Sequence, residues 1–267
     1  MKNILLLIHD DAGEESRFQA ALDLARALSG HVTCLDIVEI PALIGTAYLT
    51  ADAGVALLED ARDRDAENRG RMKARLAVED VPWDWKNATG DIARVLEAEA
   101  GLADVIVLNT EFAERWPTDM RAIVSDLVMR AGKPILAVPQ ETRSLNTGGH
   151  VLIAWNGVPE ISETVRAATP LLVLAAGVTI VEIGKTGGQS AEEAAAYLSR
   201  HGIHARIDRS VPLVSTVSDA LLAVCCDRLP AYCVIGAYGH SRLRERLMGG
   251  VTRRMLADSP VPLLLAH

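Results

Sequence analysis

Aromatic side chains supply only 4% of this 267-residue chain, so its core must be built from aliphatic residues. Cysteine is scarce too: Cys34, Cys225, Cys226 and Cys233 form no C-x-x-C pair and have no histidine spaced to complete a zinc site. That pattern disfavours both a structural zinc and a disulfide framework, and buried, reduced thiols are the expectation. No apolar run approaches the roughly 18–20 residues that cross a bilayer; the longest, such as 4–8 and 171–176, have the length of a strand or a buried helix segment. Positive charge is in deficit. With 27 Lys and Arg against 35 Asp and Glu the formal net charge is −8, and the average field repels nucleic acid. The first residues run directly into an apolar, strand-like segment without a small-residue cleavage site, which predicts no secretory leader and a cytoplasmic location.

What is present is an ordinary globular composition, 49% apolar and 23% charged, arranged twice. Asn3-Ile-Leu-Leu-Leu-Ile-His9 returns in character as His150-Val-Leu-Ile-Ala-Trp-Asn156, and Val32-Thr-Cys-Leu-Asp-Ile-Val38 as Val178-Thr-Ile-Val-Glu-Ile-Gly184. The ends match as well, residues 103–108 with 231–236 and 133–138 with 261–266. Short aliphatic runs alternate with stretches carrying apolar residues at helical spacing, as in Phe18, Ala21, Leu22, Ala25 and Leu28, which specifies βαβ units. Runs such as 105–108 lack polar alternation and read as parallel strands covered on both faces. The expected fold is α/β, with a five-stranded parallel-sheet domain over 1–140 and another over 150–267. The polar, glycine-containing residues 140–149 read as the linker. The halves are expected as two separate sheets related by an approximate twofold, with the fifth strands, 134–138 and 262–266, meeting or lying close. The charged tract 57–76, inside the long insertion of the first half, reads as an exposed amphipathic helix.

Ligands of open parallel sheets bind beyond the C-terminal strand ends. The fourth strand of the second half ends in Gly236-Ala-Tyr-Gly239; nine residues later come Gly249-Gly250-Val251-Thr252 and a helical tract. Glycines there let backbone approach a phosphate, and free N–H groups at a helix start bind anions. Arg242, Arg244, Arg246, Arg253 and Arg254 surround the motif with Glu245 opposing. Tight turns are the other reading of the same glycines.

The duplicated five-strand pattern and this motif together resemble the universal stress protein family, over nearly the whole chain. The resemblance implies two Rossmann-like domains and, in the second, a site for ATP or another adenine nucleotide with Mg²⁺ alongside it. Gly236, Gly239, Gly249, Val251 and Thr252 match the family pattern, while Gly250 stands where the family carries a hydroxyl that donates to phosphate. Ala154, Trp155 and Asn156, with Ile183, fall where the family holds adenine and ribose. Asn156 replaces the usual Asp, and an amide is a poorer Mg²⁺ ligand. Trp155 reads equally as a packing residue. His240, beside the phosphate loop, is placed to contact phosphate.

The first half lacks both glycine clusters, and Glu111 and Glu114 after its fourth strand would repel a polyphosphate. Its His9-Asp10-Asp11 reads as the cap of the following helix, with an acid/base or metal cluster as the alternative. Catalytic signatures such as G-x-S-x-G, the Walker P-loop and H-E-x-x-H are absent. The expected function is a nucleotide-binding sensor or signalling module, more a binding protein than an enzyme. An ATP-hydrolysing or phosphoryl-transfer enzyme using His240 and a metal stays open, as does a nucleotide-free scaffold for another small or lipid-like ligand. The expected partners are the adenine nucleotide and the second domain of the same chain, with homodimer formation left open.

Overall fold

The computed structural model describes residues 1–38, 51–110, 120–184, 187–209, 211, 216–237 and 250–267, with backbone alone for 51–62 and 64. The first half runs β1 (Asn3–Ile8), α1 (Glu14–Leu28), β2 (His31–Val38), α2 (Ala51–Leu76), β3 (Trp83–Thr89), α3 (Ile92–Glu99), a 3-10 turn (Ala100–Leu102), β4 (Val105–Asn109), α4 (Met120–Arg130) and β5 (Ile135–Val138). The second half repeats it as β6 (His150–Trp155), α5 (Pro159–Leu172), β7 (Gly177–Glu182), α6 (Ala191–Arg200), β8 (Ala205–Asp208), α7 (Val217–Arg228), β9 (Tyr232–Gly236), α8 (Gly250–Asp258) and β10 (Leu263–Ala266). Among the described residues no helix is long and apolar enough to cross a membrane.

Strands β1 and β4 are buried at nearly every position, as parallel strands covered on both faces must be. β3, at one edge, alternates between half-buried and exposed residues, because only one of its faces meets the core. Helices start where side chains satisfy free N–H groups: Asp91 accepts from Arg94 N, Thr216 from Asp219 N, and Ser190 and Glu193 cap each other reciprocally. α1 begins differently. Its cap residue is Gly13, which has no side chain to offer, and Asp11 Oδ1 accepts the Gly13 N–H at 2.7 Å. Asp10 is drawn away to Arg71 at 3.0 Å. The cap position thus falls to Gly13 rather than to either aspartate, with Asp11 taking the Gly13 N–H and Asp10 pairing with Arg71.

The strand order is β3-β2-β1-β4-β5-β10-β9-β6-β7-β8, so the two halves share one order read outward from the middle. All pairings within a half are parallel, and β5 pairs with β10 antiparallel, Leu136 opposite Leu264. The expectation of two separate sheets is corrected: the fifth strands hydrogen-bond directly, and the chain carries one ten-stranded sheet. Each fifth strand would otherwise expose a row of unpaired N–H and C=O groups. Pairing the same strand with its own copy across a twofold normal to the sheet satisfies both edges at once. The two cores are continuous across this join. One packs α1, α2, α5 and α6 against one face, with Leu136 and Leu264; the other packs α3, α4, α7 and α8 against the opposite face, with Ile135, Leu263 and Leu265.

α2 turns Met72 and Leu76 into the core. Its polar side is held by ion pairs, Arg71 with Glu14 at 2.8 Å and Arg75 with Glu15. Cys34, Cys225 and Cys233 are buried, but Cys226 is exposed, which corrects the expectation of four buried thiols. Adjacent helix positions are turned about 100° apart, so Cys225 and Cys226 cannot both face the sheet.

Candidate functional site

In the second half the strand order reverses between β6 and β9, and their C-terminal ends part to leave a crevice. A cavity of about 230 Å³ lies there. Ala154, Trp155 and Asn156 at the end of β6, Val181 and Ile183 along β7, and Ile235 and Gly236 of β9 form its strand side. Val217 and Leu221, one turn apart on α7, and Gly250, Val251 and Thr252 opening α8 complete it. The walls are chiefly aliphatic, and none of these lining residues carries a charged side chain. What polar character the cavity has comes from Asn156, Thr252 and the first turn of α8, whose N–H groups have no partner within the helix and concentrate positive potential. A flat apolar group fits against the aliphatic walls, with an anionic end at α8.

Of the described residues singled out from the sequence for this site, Ala154, Trp155, Asn156, Ile183, Gly236, Gly250, Val251 and Thr252 line the one cavity, whereas Arg253 and Arg254 do not, and Arg254 instead pairs with Asp258 at 2.8 Å. Gly239, His240, Gly249 and the arginines 242, 244 and 246 lie outside the described residues, as do Glu111 and Glu114 of the first half. Four wall residues, Val181, Val217, Leu221 and Ile235, were not singled out. The only sequence signal for them is apolar character at strand ends and an i, i+4 pair at a helix start, shared with many core positions.

Individual roles differ from a simple phosphate cradle. A Cβ on Gly236 would stand 2.7 Å from the backbone nitrogen of Ile161, so this glycine is what lets α5 close onto the strand end. A Cβ on Gly250 meets nothing within 4 Å. Trp155 is buried, and its indole N–H donates to the Gln189 carbonyl at 3.0 Å. The loop after β6 interlocks with the one after β7: Gln189 N donates to Gly157 O at 2.9 Å, and Gly187 N to Asn156 O at 3.3 Å. Gly157 has φ +76°, and a Cβ there would lie 2.2 Å from Gly187 O. The segment that presents Asn156 is therefore fixed by backbone contacts that only glycine permits. Below it, Arg209 ties Glu182 at the end of β7 to Glu192 of α6. The first half uses the same device: Arg69 bridges Asp36 of β2 and Asp65 of α2. Burial, then a hydrogen bond with Asp36, push the Asp65 carboxyl up to about 6.

In the first half the space between the start of α1 and the ends of β1 and β4 is filled by a buried polar network. Asn109 ends β4 where Gly236 ends β9, and its side chain sits where a Cβ on Gly13 would have to go, 2.4 Å away. Arg17, fully buried, donates from Nε to Leu7 O at 2.8 Å and from Nη1 to Asp11 Oδ1 at 2.8 Å and Asn109 Oδ1 at 2.6 Å; Nη2 donates to His9 O. Burial pushes the Asp11 carboxyl up, but the Arg17 charge and hydrogen bonds from His9 and Arg17 outweigh it and hold the group at about 2. The His-Asp-Asp run is thus an ion-pair network around an arginine. Among the described residues no group of three or more His, Cys, Asp or Glu side chains could hold a metal ion.

The fold defines a duplicated, Rossmann-like α/β protein, and the described residues of its second half enclose a cavity at the strand switch point. No family model matches the chain. Over 99% of its length, and 99% of the relative's, it is 24% identical to a universal stress protein of Synechocystis sp.. Its fold is similar to that of a universal stress protein from Archaeoglobus fulgidus, with a TM-score of 0.75 at 12% identity over 99% of this chain and 95% of the other. A functionally unknown protein from Pseudomonas aeruginosa matches with a TM-score of 0.61 at 16% identity, over 100% and 92%. The resemblance to universal stress proteins is a property of the full chain, in sequence and in fold.

Proposed function

We propose that this chain acts as a tandem universal stress protein of the cytoplasm, binding one adenine nucleotide, ATP, ADP or AMP, in its second half as a sensor or signalling module. The observation that supports the reading best is the second-half cavity at the strand switch point, where aliphatic walls suited to a base meet the N-terminal turn of α8, suited to a phosphate. A single site is expected because the first half carries neither glycine cluster of the second. Mg²⁺ would enter with the phosphates rather than on protein ligands: the described lining residues include no carboxylate, and Asn156 offers an amide. Among the described lining residues, backbone N–H groups, Asn156 and the apolar walls would hold the ligand, and none of these supplies a general base.

Calorimetric titration with ATP, ADP and AMP, each with and without Mg²⁺, tests this. One nucleotide per chain is expected, with an affinity that Mg²⁺ changes little. Two per chain, or no binding by any of the three, would overturn the reading. Steady metal-dependent phosphate release would move the protein into the enzyme class.

A further inference from the structure

The sheet closes its middle by pairing β5 with β10 and leaves β3 and β8 as its outer strands. β3 is the longer, seven residues against four. Its bonding to β2 is bracketed by Val32 N–H donating to Pro82 O and Gly90 N–H donating to Val38 O, with Val32 opposite Trp83 and Val38 opposite Thr89. Residues that bond a neighbouring strand alternate along the chain, so Asp84, Lys86 and Ala88 turn their N–H and C=O groups inward to β2. Trp83, Trp85 and Asn87 turn theirs outward, to the open edge. The side chains divide as well. Trp83 and Trp85 pack, partly buried, on the core beneath α2, while Asp84 and Lys86 lie on the opposite face, each about half exposed.

We propose that β3 is a docking edge for a second copy of this chain, the two β3 strands pairing antiparallel across a twofold axis at Trp85. Centred there, the outward N–H and C=O groups of Trp85 bond those of Trp85 in the second copy, and Trp83 exchanges hydrogen bonds with Asn87 on either side, so all three outward residues are satisfied. The positions between them are the non-hydrogen-bonded pairs, where side chains approach most closely. These set Asp84 against Lys86 of the second copy, and Lys86 against its Asp84. A lone charge blunts an edge, but opposite charges two residues apart match when the strand meets itself. Register follows from the same pair, since centring on Asp84 or on Lys86 would bring like charges together. The groups already facing these side chains allow the contact: Glu99 Oε2 takes one Lys86 N–H at 2.8 Å, leaving two donors on the ammonium, and His31 Nε2 stands 3.7 Å from Asp84. On the other face Lys73 covers the Trp85 ring at 4.9 Å. β8 offers no equal edge, because its Asp208 is buried and held by Arg228 at 2.6 Å. One seven-residue strand is about 24 Å long, a small interface, so dimer and monomer exchange in equilibrium. The docking edge does not depend on what the cavity holds.

Sedimentation velocity of the full chain across the micromolar range tests this. The wild type should pass from monomer to dimer as concentration rises. Asp84→Lys and Lys86→Asp should each weaken dimerisation by about tenfold or more, because each opposes like charges at both symmetry-related pairs. Both positions are half exposed, so melting temperatures should stay near that of the wild type. Mixed in equal amounts, the two variants should associate with each other more tightly than either does with itself, and the double variant Asp84→Lys/Lys86→Asp should regain wild-type dimerisation. A wild type that stays monomeric throughout, a dimer indifferent to both single variants, or a mixture no tighter than the variants alone overturns the proposal.

Discussion

Replacing Arg17 by Met keeps most of the side chain's volume and removes its charge, and the structure sets how much this should cost. The guanidinium satisfies the Asp11 carboxylate, the Asn109 amide oxygen and the carbonyls of Leu7 and His9, all at a fully buried position. Removing one partner of a buried ion pair costs about 3–5 kcal/mol, because the other charge is left uncompensated. For a chain of this size that is about a 10 °C fall in melting temperature. The Asp11 carboxyl supplies an internal check. Its folded pKa is held at about 2 against an ordinary 3.8, so in the wild type it contributes about 2 kcal/mol, present in full above pH 3.8 and lost as pH falls through 2. Without Arg17, burial is the main influence left, and it raises the same group. The variant then takes up a proton on folding in mild acid, which relieves the buried charge. Urea unfolding followed by circular dichroism should therefore show a larger deficit at pH 7.5 than at pH 5. A deficit below about 1 kcal/mol at pH 7.5, or one that grows towards pH 5, would refute the account of Arg17 as the centre of a buried ion-pair network.

Gly157→Ala should destabilise the protein by about 2 kcal/mol or more, since it combines a φ of +76° with a 2.2 Å contact to Gly187 O; chemical denaturation measures this, and a neutral outcome would contradict the interlock. Gly250→Ser, placed where a Cβ meets nothing, should leave stability unchanged and tighten ATP binding by up to about tenfold through an added hydroxyl donor; calorimetry showing weaker binding would count against an anion at the start of α8. Leu264→Asp, at the centre of the β5–β10 pairing, should cost about 3 kcal/mol or more, and the two halves should unfold with separated transitions in calorimetry; a single transition at the wild-type temperature would argue against the shared sheet. Asp65→Asn should stabilise by about 1 kcal/mol at pH 7.5. A carboxyl whose folded pKa is raised from 3.8 to about 6 loses stability as pH rises through that window, so the gain should vanish below pH 4.

The sequence alone determined the repeated βαβ pattern, because burial on both faces of a parallel strand forbids polar residues at every position and so marks strands such as 4–8 and 105–107 without reference to anything distant. It also placed Ala154, Asn156, Ile183 and Gly250 at strand and helix ends, where local periodicity stops. The tertiary structure decided the rest. Whether β5 and β10 pair depends on two open edges separated by more than a hundred residues, and no strand's own pattern records which neighbour will cover it. Arginine is seldom buried unless paired, and nothing local marks Arg17 for burial, since one partner, Asn109, is 92 residues away. Gly236 sits in a motif that suggests phosphate, yet what a side chain there would strike is the backbone of Ile161, a contact created by the angle at which α5 returns to the sheet. Cys225 and Cys226 are neighbours of one chemical type, and only the turn of α7 against β9 sends one into the core and the other into water. In each case local pattern fixes what a segment becomes, while the close approach of distant segments fixes what its side chains touch.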